Sequence, residues 1–231
     1  MLPGDNITIR TYGRRKGHAL SPRKQRLVDE LLPGLRLNLN SPAPAPLTNL
    51  FHADVSRVWL EIGFGGGEHL VHMAARNPDV TLIGAEPFVN GIAMLLGKIR
   101  GAGVRNLWLH PGDVRDLFDV LPNGCLTKVF LNYPDPWPKA RHHRRRFVTP
   151  GYLAALARVT AAGAEFRVAT DIADYVRQAL EEVPRAGFAL LSQRGPGEAW
   201  EDWLSTRYEQ KALREGRTPQ YLTFRRRAPD F

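Results

Sequence analysis

From Arg57 onward the chain alternates short apolar runs with longer stretches whose apolar residues recur every three or four positions. Short runs of that kind suit buried strands and the longer pattern suits amphipathic helices, so their alternation predicts a parallel sheet flanked by helices. Seven strands are predicted: Arg57 to Ile62, Val80 to Ala85, Val104 to His110, Lys128 to Asn132, Glu165 to Thr170, Phe188 to Gln193 and Gln220 to Arg226. Helices fit between them at Glu68 to Arg76, Gly91 to Arg100, Pro150 to Thr160 and Ala173 to Val183. An earlier helix is entered at Ser21-Pro22, a good N-cap and first-turn pair. Leu27, Leu31 and Leu32 give it an apolar side, and Pro33-Gly34 predicts its end. Ser41-Pro42-Ala43-Pro44-Ala45-Pro46 then reads as a stiff linker. The expected organisation is a basic arm, helix and linker over residues 1–50, followed by one α/β domain over 51–231.

Charge adds a partner class to that picture. Lys and Arg total 32 against 23 Asp and Glu, a net charge of +9, which favours polyanions by long-range attraction. Part of this charge sits in the arm from Thr8 to Lys16, with Arg10, Arg14 and Arg15. Cys125 is the only cysteine, so an intramolecular disulfide and a cysteine-rich zinc site are excluded, and a reducing compartment is expected. His69 and His72 lie three apart on a predicted helix; with no third ligand nearby they read as a helix-face pair, and no metal is assigned. No apolar run has the length of a membrane span and the N-terminus lacks a secretory pattern. A cytoplasmic protein without membrane partners is expected, as a monomer or homodimer.

Candidate chemistry collects at the ends of the predicted strands. Glycines at 63, 65 and 67 follow the first strand and open a helix, which lets the backbone approach a ligand where open α/β sheets bind them. A dinucleotide fingerprint needs its third glycine at position 68, but Glu68 stands there. Acids recur at the strand ends: Glu61, Glu86, Asp113 and Asp135. Glu86 is placed to accept ribose hydroxyls and Asp113 to accept from an adenine amino group; Asp113 also suits a plain turn or cap. Four acids on one rim repel a phosphorylated cofactor and suit S-adenosylmethionine, which carries a sulfonium cation and no phosphate.

The fourth strand runs into Tyr133-Pro134-Asp135-Pro136-Trp137-Pro138-Lys139, then Arg141-His142-His143-Arg144-Arg145-Arg146. Flanking prolines restrict the backbone at Asp135, and the cations after it suit a phosphate backbone. Trp137 can stack on a base or pack on its prolines.

With Leu60-Glu61-Ile62-Gly63-Phe64-Gly65, Gly84-Ala85-Glu86, Ala169-Thr170-Asp171 and Thr206-Arg207-Tyr208-Glu209, this run resembles, in order and spacing, the bacterial tRNA (guanine-N7)-methyltransferases. The resemblance covers nearly the whole chain from Arg57. It implies a Rossmann-like class I methyltransferase fold with a seven-stranded, mostly parallel sheet and helices on both faces. It also implies transfer of a methyl group from S-adenosylmethionine to guanine-46 in the variable loop of tRNA. By resemblance, Glu61, Glu86, Asp113 and Asp135 bind the cofactor, with Gly63 and Gly65 in the glycine turn. Lys139, Asp171, Thr206, Arg207, Tyr208 and Glu209 then contact tRNA, and Arg141, His142, His143, Arg144, Arg145 and Arg146 form the RNA-binding run. Asn132-Tyr133 and Arg207-Tyr208 depart from the family's common aromatic pair and Lys-Phe.

Guanine N7 carries a free lone pair, so the chemistry needs in-line positioning and negative charge near the base more than a strong general base. Asp135 is the expected catalytic carboxylate, accepting from the guanine N1 or N2 protons and stabilising the developing cation. Asp171 either shares that task or caps the next helix. Competing readings are a methyltransferase for another RNA base or a protein, a nicotinamide-dependent oxidoreductase, and an RNA-binding module without catalysis.

Overall fold

The computed structural model describes residues 15, 17–40, 44–51 and 55–228. Most of the arm from Thr8 to Lys16 and the first half of the proline linker lie outside the described residues.

Seven strands form one sheet: β1 (Val58–Ile62), β2 (Thr81–Ala85), β3 (Leu107–His110), β4 (Leu126–Asn132), β5 (Thr160–Thr170), β6 (Phe188–Arg194) and β7 (Gln220–Arg226). Their order is β3-β2-β1-β4-β5-β7-β6. β7 runs antiparallel to both neighbours, whereas the other pairings are parallel. Consecutive β1, β2 and β3 step outward on one side, and β4 and β5 step outward on the other. The order therefore reverses between β1 and β4, the kind of crevice where α/β sheets bind ligands.

Helices are α1 (Pro22–Leu35), α2 (Leu47–Phe51), α3 (Glu68–Arg76), α4 (Val89–Ala102), α5 (Arg115–Val120), α6 (Pro150–Val159), α7 (Ala173–Arg185) and α8 (Arg207–Arg214). Strand alternation splits the core between the two faces. Val58, Leu60 and Ile62 of β1 join Leu117, Leu153 and Val176 from α5, α6 and α7. Trp59 of the same strand joins Leu27, Leu70 and Leu95 from α1, α3 and α4. The predicted fold class is thus the observed one.

Differences from the expected elements have physical causes. α1 passes through Pro33 to Leu35 because Leu31, Leu32 and Leu35 pack beside the α3–α4 core, and that contact holds the last turn. Short α2 and α5 and the amphipathic α8 were not expected. The cationic run folds as a 3-10 turn, Ala140–Arg145. Trp200 and Trp203 pack with Tyr221 against the sheet.

Candidate active site

A cavity of about 410 Å³ opens at the carboxyl ends of β1, β2 and β4. Its floor is Ile62, Ala85 and Leu131, all on the sheet face that carries α5, α6 and α7. Gly63 and Gly65 form one edge with left-handed backbones, φ 68° and 55°, a conformation glycine adopts without a side-chain penalty. A Cβ on Gly65 would come within 3.0 Å of the Tyr208 ring, which lines the cavity from the start of α8.

Glu86 follows β2 directly and is buried at the cavity wall. Its carboxylate accepts from the Gly65 amide at 2.8 Å and the Phe88 amide at 2.9 Å. Burial raises its pKa above the ordinary carboxylate range despite those donors, and the charge of Asp135 adds to the rise. Asp113 also lines the cavity, but Arg115 grips it through Nε at 2.7 Å and Nη2 at 2.5 Å. Asp113 further accepts from the Arg115 amide at 3.0 Å, so the turn role and the cavity-facing position coexist.

Asp135 sits on the turn after β4, the central strand of the seven. Its side chain is open to the cleft, yet the surrounding protein displaces enough water to raise its pKa. No hydrogen bond or ion pair engages it among the described residues. The turn is unusual at both ends: Tyr133 (φ 48°) and Trp137 (φ 40°) adopt left-handed backbones without being glycine. Such conformations cost about 1–3 kcal/mol each and persist where surrounding contacts impose them. Tyr133 and Trp137 both line the cavity. The Arg145 guanidinium lies 4.9 Å from the Trp137 ring centroid, and the His142 ring stands nearly perpendicular to the same ring, 6.0 Å between centroids.

Other expected site residues go elsewhere. Glu61 shares the Trp59 face of β1 by strand alternation, opposite the cavity floor. It is buried there and its Oε2 meets His69 Nδ1 of α3 at 2.8 Å. His72 instead faces the Asp202 carbonyl at 3.2 Å, so the two histidines diverge. Asp171 neither caps α7 nor lines the cavity: Arg217 pairs with it, while Thr170 Oγ1 accepts from the Ile172 amide at 3.3 Å. Thr206 is the N-cap of α8, accepting from the Glu209 amide at 3.3 Å. Glu209 is buried, accepting from Trp203 Nε1 at 3.0 Å and from the Tyr221 hydroxyl. Arg207 pairs with Glu68 across the glycine turn. Of that segment, Tyr208 alone lines the cavity.

The cationic run also divides. Lys139, Arg141 and Arg144 are exposed. His143 lies 3.2 Å from the Asp174 carboxylate. Arg146 corrects the expectation of an unbroken phosphate-binding run: its side chain is 0% exposed and paired with Asp174 at 2.7 Å. A guanidinium so placed cannot meet a phosphate at the surface. Sequence reading missed Arg115, Tyr133, Tyr152 and Phe147 as cavity residues; the close spacing of Asp113 and Arg115 was a usable signal for the first.

These residues fit S-adenosylmethionine better than a dinucleotide. Glu86 and Asp135 present negative charge to the cavity, while Asp113 is matched by Arg115. The amino end of α3, where a pyrophosphate would dock, is occupied by the Glu68 carboxylate with Arg207 and Lys98.

Comparison with known proteins agrees with this geometry. A family model described as "Putative methyltransferase" matches residues 56–221. The chain is 68% identical to a tRNA (guanine-N(7)-)-methyltransferase of Cereibacter sphaeroides, over 93% of this chain and 90% of that one. It is 63% identical to the Paracoccus denitrificans protein of the same name, over 94% of each. Among solved structures, the 16S rRNA methyltransferase KamB superposes with a TM-score of 0.59 at 16% identity, covering 84% of this chain and 99% of that one. A 16S rRNA (adenine(1408)-N(1))-methyltransferase W203A mutant from Catenulisporales acidiphilia gives 0.54 at 18% identity, covering 77% and 88%. At such identities these two structures bear on the fold alone.

Proposed function

The chain belongs to the tRNA (guanine-N7)-methyltransferase family, and we propose that it methylates N7 of guanine-46 in the variable loop of tRNA, using S-adenosylmethionine. One observation carries the chemical part of this reading: a carboxylate without a hydrogen bond or ion pair among the described residues, Asp135, stands at the crevice between β1 and β4. S-adenosylmethionine, when bound, supplies a sulfonium methyl that guanine N7 can attack without first losing a proton.

Glu86 and Asp113 are the cofactor-side acids, with Gly63 and Gly65 giving the backbone room for close approach. Asp135 accepts from the guanine N1 and N2 protons, which fixes the base and sets negative charge beside the ring as it becomes cationic. Its raised pKa still leaves a carboxylate once the pH is above that raised value. Tyr133, Trp137 and Tyr208 offer aromatic surface around the cavity for an unstacked base. Lys139, Arg141 and Arg144 are exposed beside it and meet tRNA phosphates. Glu61, Thr206, Glu209 and Asp171 act from behind as supports of the glycine turn, of α8 and of the strand end. Acting on tRNA, the protein works in the cytoplasm; no described helix is long and apolar enough to cross a membrane.

The guanine N7 edge is poorly reachable inside an A-form helix, so the target must be a loop base or an extruded one. Incubating the protein with unmodified tRNA and methyl-labelled cofactor, then mapping the labelled nucleotide, tests the proposal. Label on guanine-46, lost when that guanine is replaced, is the expected result. Label elsewhere, or on protein, would favour the other methyltransferase readings.

A further inference from the structure

The Pro-Asp-Pro turn has a donor problem. Three of the seven residues from Tyr133 to Lys139 are proline and carry no backbone N–H, so the turn offers few donors to its own carbonyls. Its two left-handed residues, Tyr133 and Trp137, also demand an outside restraint. Arg146 supplies both needs. Its Nε donates to the Pro136 carbonyl at 2.8 Å and Nη2 reaches the Trp137 carbonyl at 3.4 Å. On its other side Nη1 donates to Asp174 Oδ2 at 2.7 Å and to Gln178 Oε1 at 2.9 Å, both on α7. The guanidinium lies 5.3 Å from the Tyr175 ring centroid, which limits its movement.

We propose that Arg146 is a positioning residue for Asp135: it ties the turn to the rigid α7 and holds the catalytic carboxylate in place. Arg suits this task because its planar fork presents several donors in fixed directions, which a lysine cannot reproduce. The proposal rests on the catalytic reading of Asp135. It also gives the last arginine of the run a different role from exposed Arg144 two positions earlier.

The test uses the full-length enzyme and its tRNA substrate, with Arg146→Met, Arg146→Lys, Gln178→Met, Asp135→Ala and the Asp135→Ala/Arg146→Met double variant. Turnover at saturation, tRNA affinity with its salt dependence, and thermal midpoint are measured for each. Arg146→Met is expected to lower kcat roughly 10- to 100-fold, the scale of a small misplacement of a reacting group. Its tRNA affinity should stay within about twofold and its salt slope should not change, because no phosphate contact is lost. Arg146→Lys should recover part of kcat, and the double variant should be no slower than Asp135→Ala, since both changes remove one function. Gln178→Met keeps the buried charge and should lower kcat less, in the same pattern, should Arg146→Met fail to fold.

A reduced salt slope with unchanged kcat would overturn the proposal and return Arg146 to the phosphate contacts. Losses that multiply in the double variant would overturn it too. An unchanged kcat in Asp135→Ala would instead sink the catalytic reading itself.

Discussion

The two halves of the cleft use their charged residues in opposite ways. On the side of β1 to β3, Glu86 and Asp113 face the cavity from strand ends. On the side of β5, β7 and α8, Asp171, Glu209 and Thr206 are tied to Arg217, to Trp203 and Tyr221, and to the start of α8. Between them Asp135 makes no hydrogen bond or ion pair among the described residues. The first half turns its acids toward the cavity while Arg115 and backbone amides hold them there, whereas the second is a frame that sets Tyr208 and the Pro-Asp-Pro turn at the cavity mouth. A site motif can therefore contain residues that line the cavity beside residues that only hold their neighbours.

That contrast orders the expected effects of mutation. Asp135→Ala should lower kcat on the order of 100-fold or more while tRNA affinity, measured by filter binding, stays nearly constant. Next comes the first half: Glu86→Ala removes a buried charged acceptor worth about 1.5–3 kcal/mol, so cofactor affinity by calorimetry should drop about 10- to 100-fold. On the frame side, Glu209→Ala leaves the Trp203 and Tyr221 donors without their carboxylate. It should cost about 1–3 kcal/mol of stability, read as a lower thermal or denaturant midpoint. A loss of tRNA turnover at unchanged stability would instead make Glu209 a substrate contact and break the division. The smallest effect belongs to exposed Arg144: its alanine variant should reduce the salt slope of tRNA binding by about 0.7–0.9 at most, the share of one phosphate.

Much of the first half was legible in the sequence because strand ends and glycine turns are local features. The glycines before α3, Glu86 and the turn at Asp135 fell where the predicted strands stop. Glu61 was misplaced by one parity step: side chains alternate along a strand, so the residue before cavity-facing Ile62 must face α3. That rule was available, but which face carries the cavity was not. The frame side was hidden for another reason. Arg146 with Asp174, Asp171 with Arg217 and Glu209 with Tyr221 are partners from separate elements, and a single chain carries no local sign of such pairs. The run Arg144-Arg145-Arg146 looks uniform, yet the apolar Phe147-Val148 that follows draws its last member inward.

Acidity separates the fold from its activity. Glu86 and Asp135 have carboxyl pKa values raised chiefly by desolvation, so the folded state binds more protons than the unfolded chain between about pH 4 and the raised values. These two groups oppose folding when ionised, and that cost is relieved as the pH falls through the raised values. Acidification should therefore add stability from these groups while, on the proposed reading, removing the Asp135 charge set beside the base.

The most direct test of the central claim is kcat for methyl transfer against pH, with tRNA and cofactor both saturating, in the wild type and Asp135→Asn. An acid limb is expected in the wild type, centred above the ordinary carboxylate range, with a low, flat profile in the variant. The same limb in Asp135→Asn, at comparable kcat, would contradict that claim.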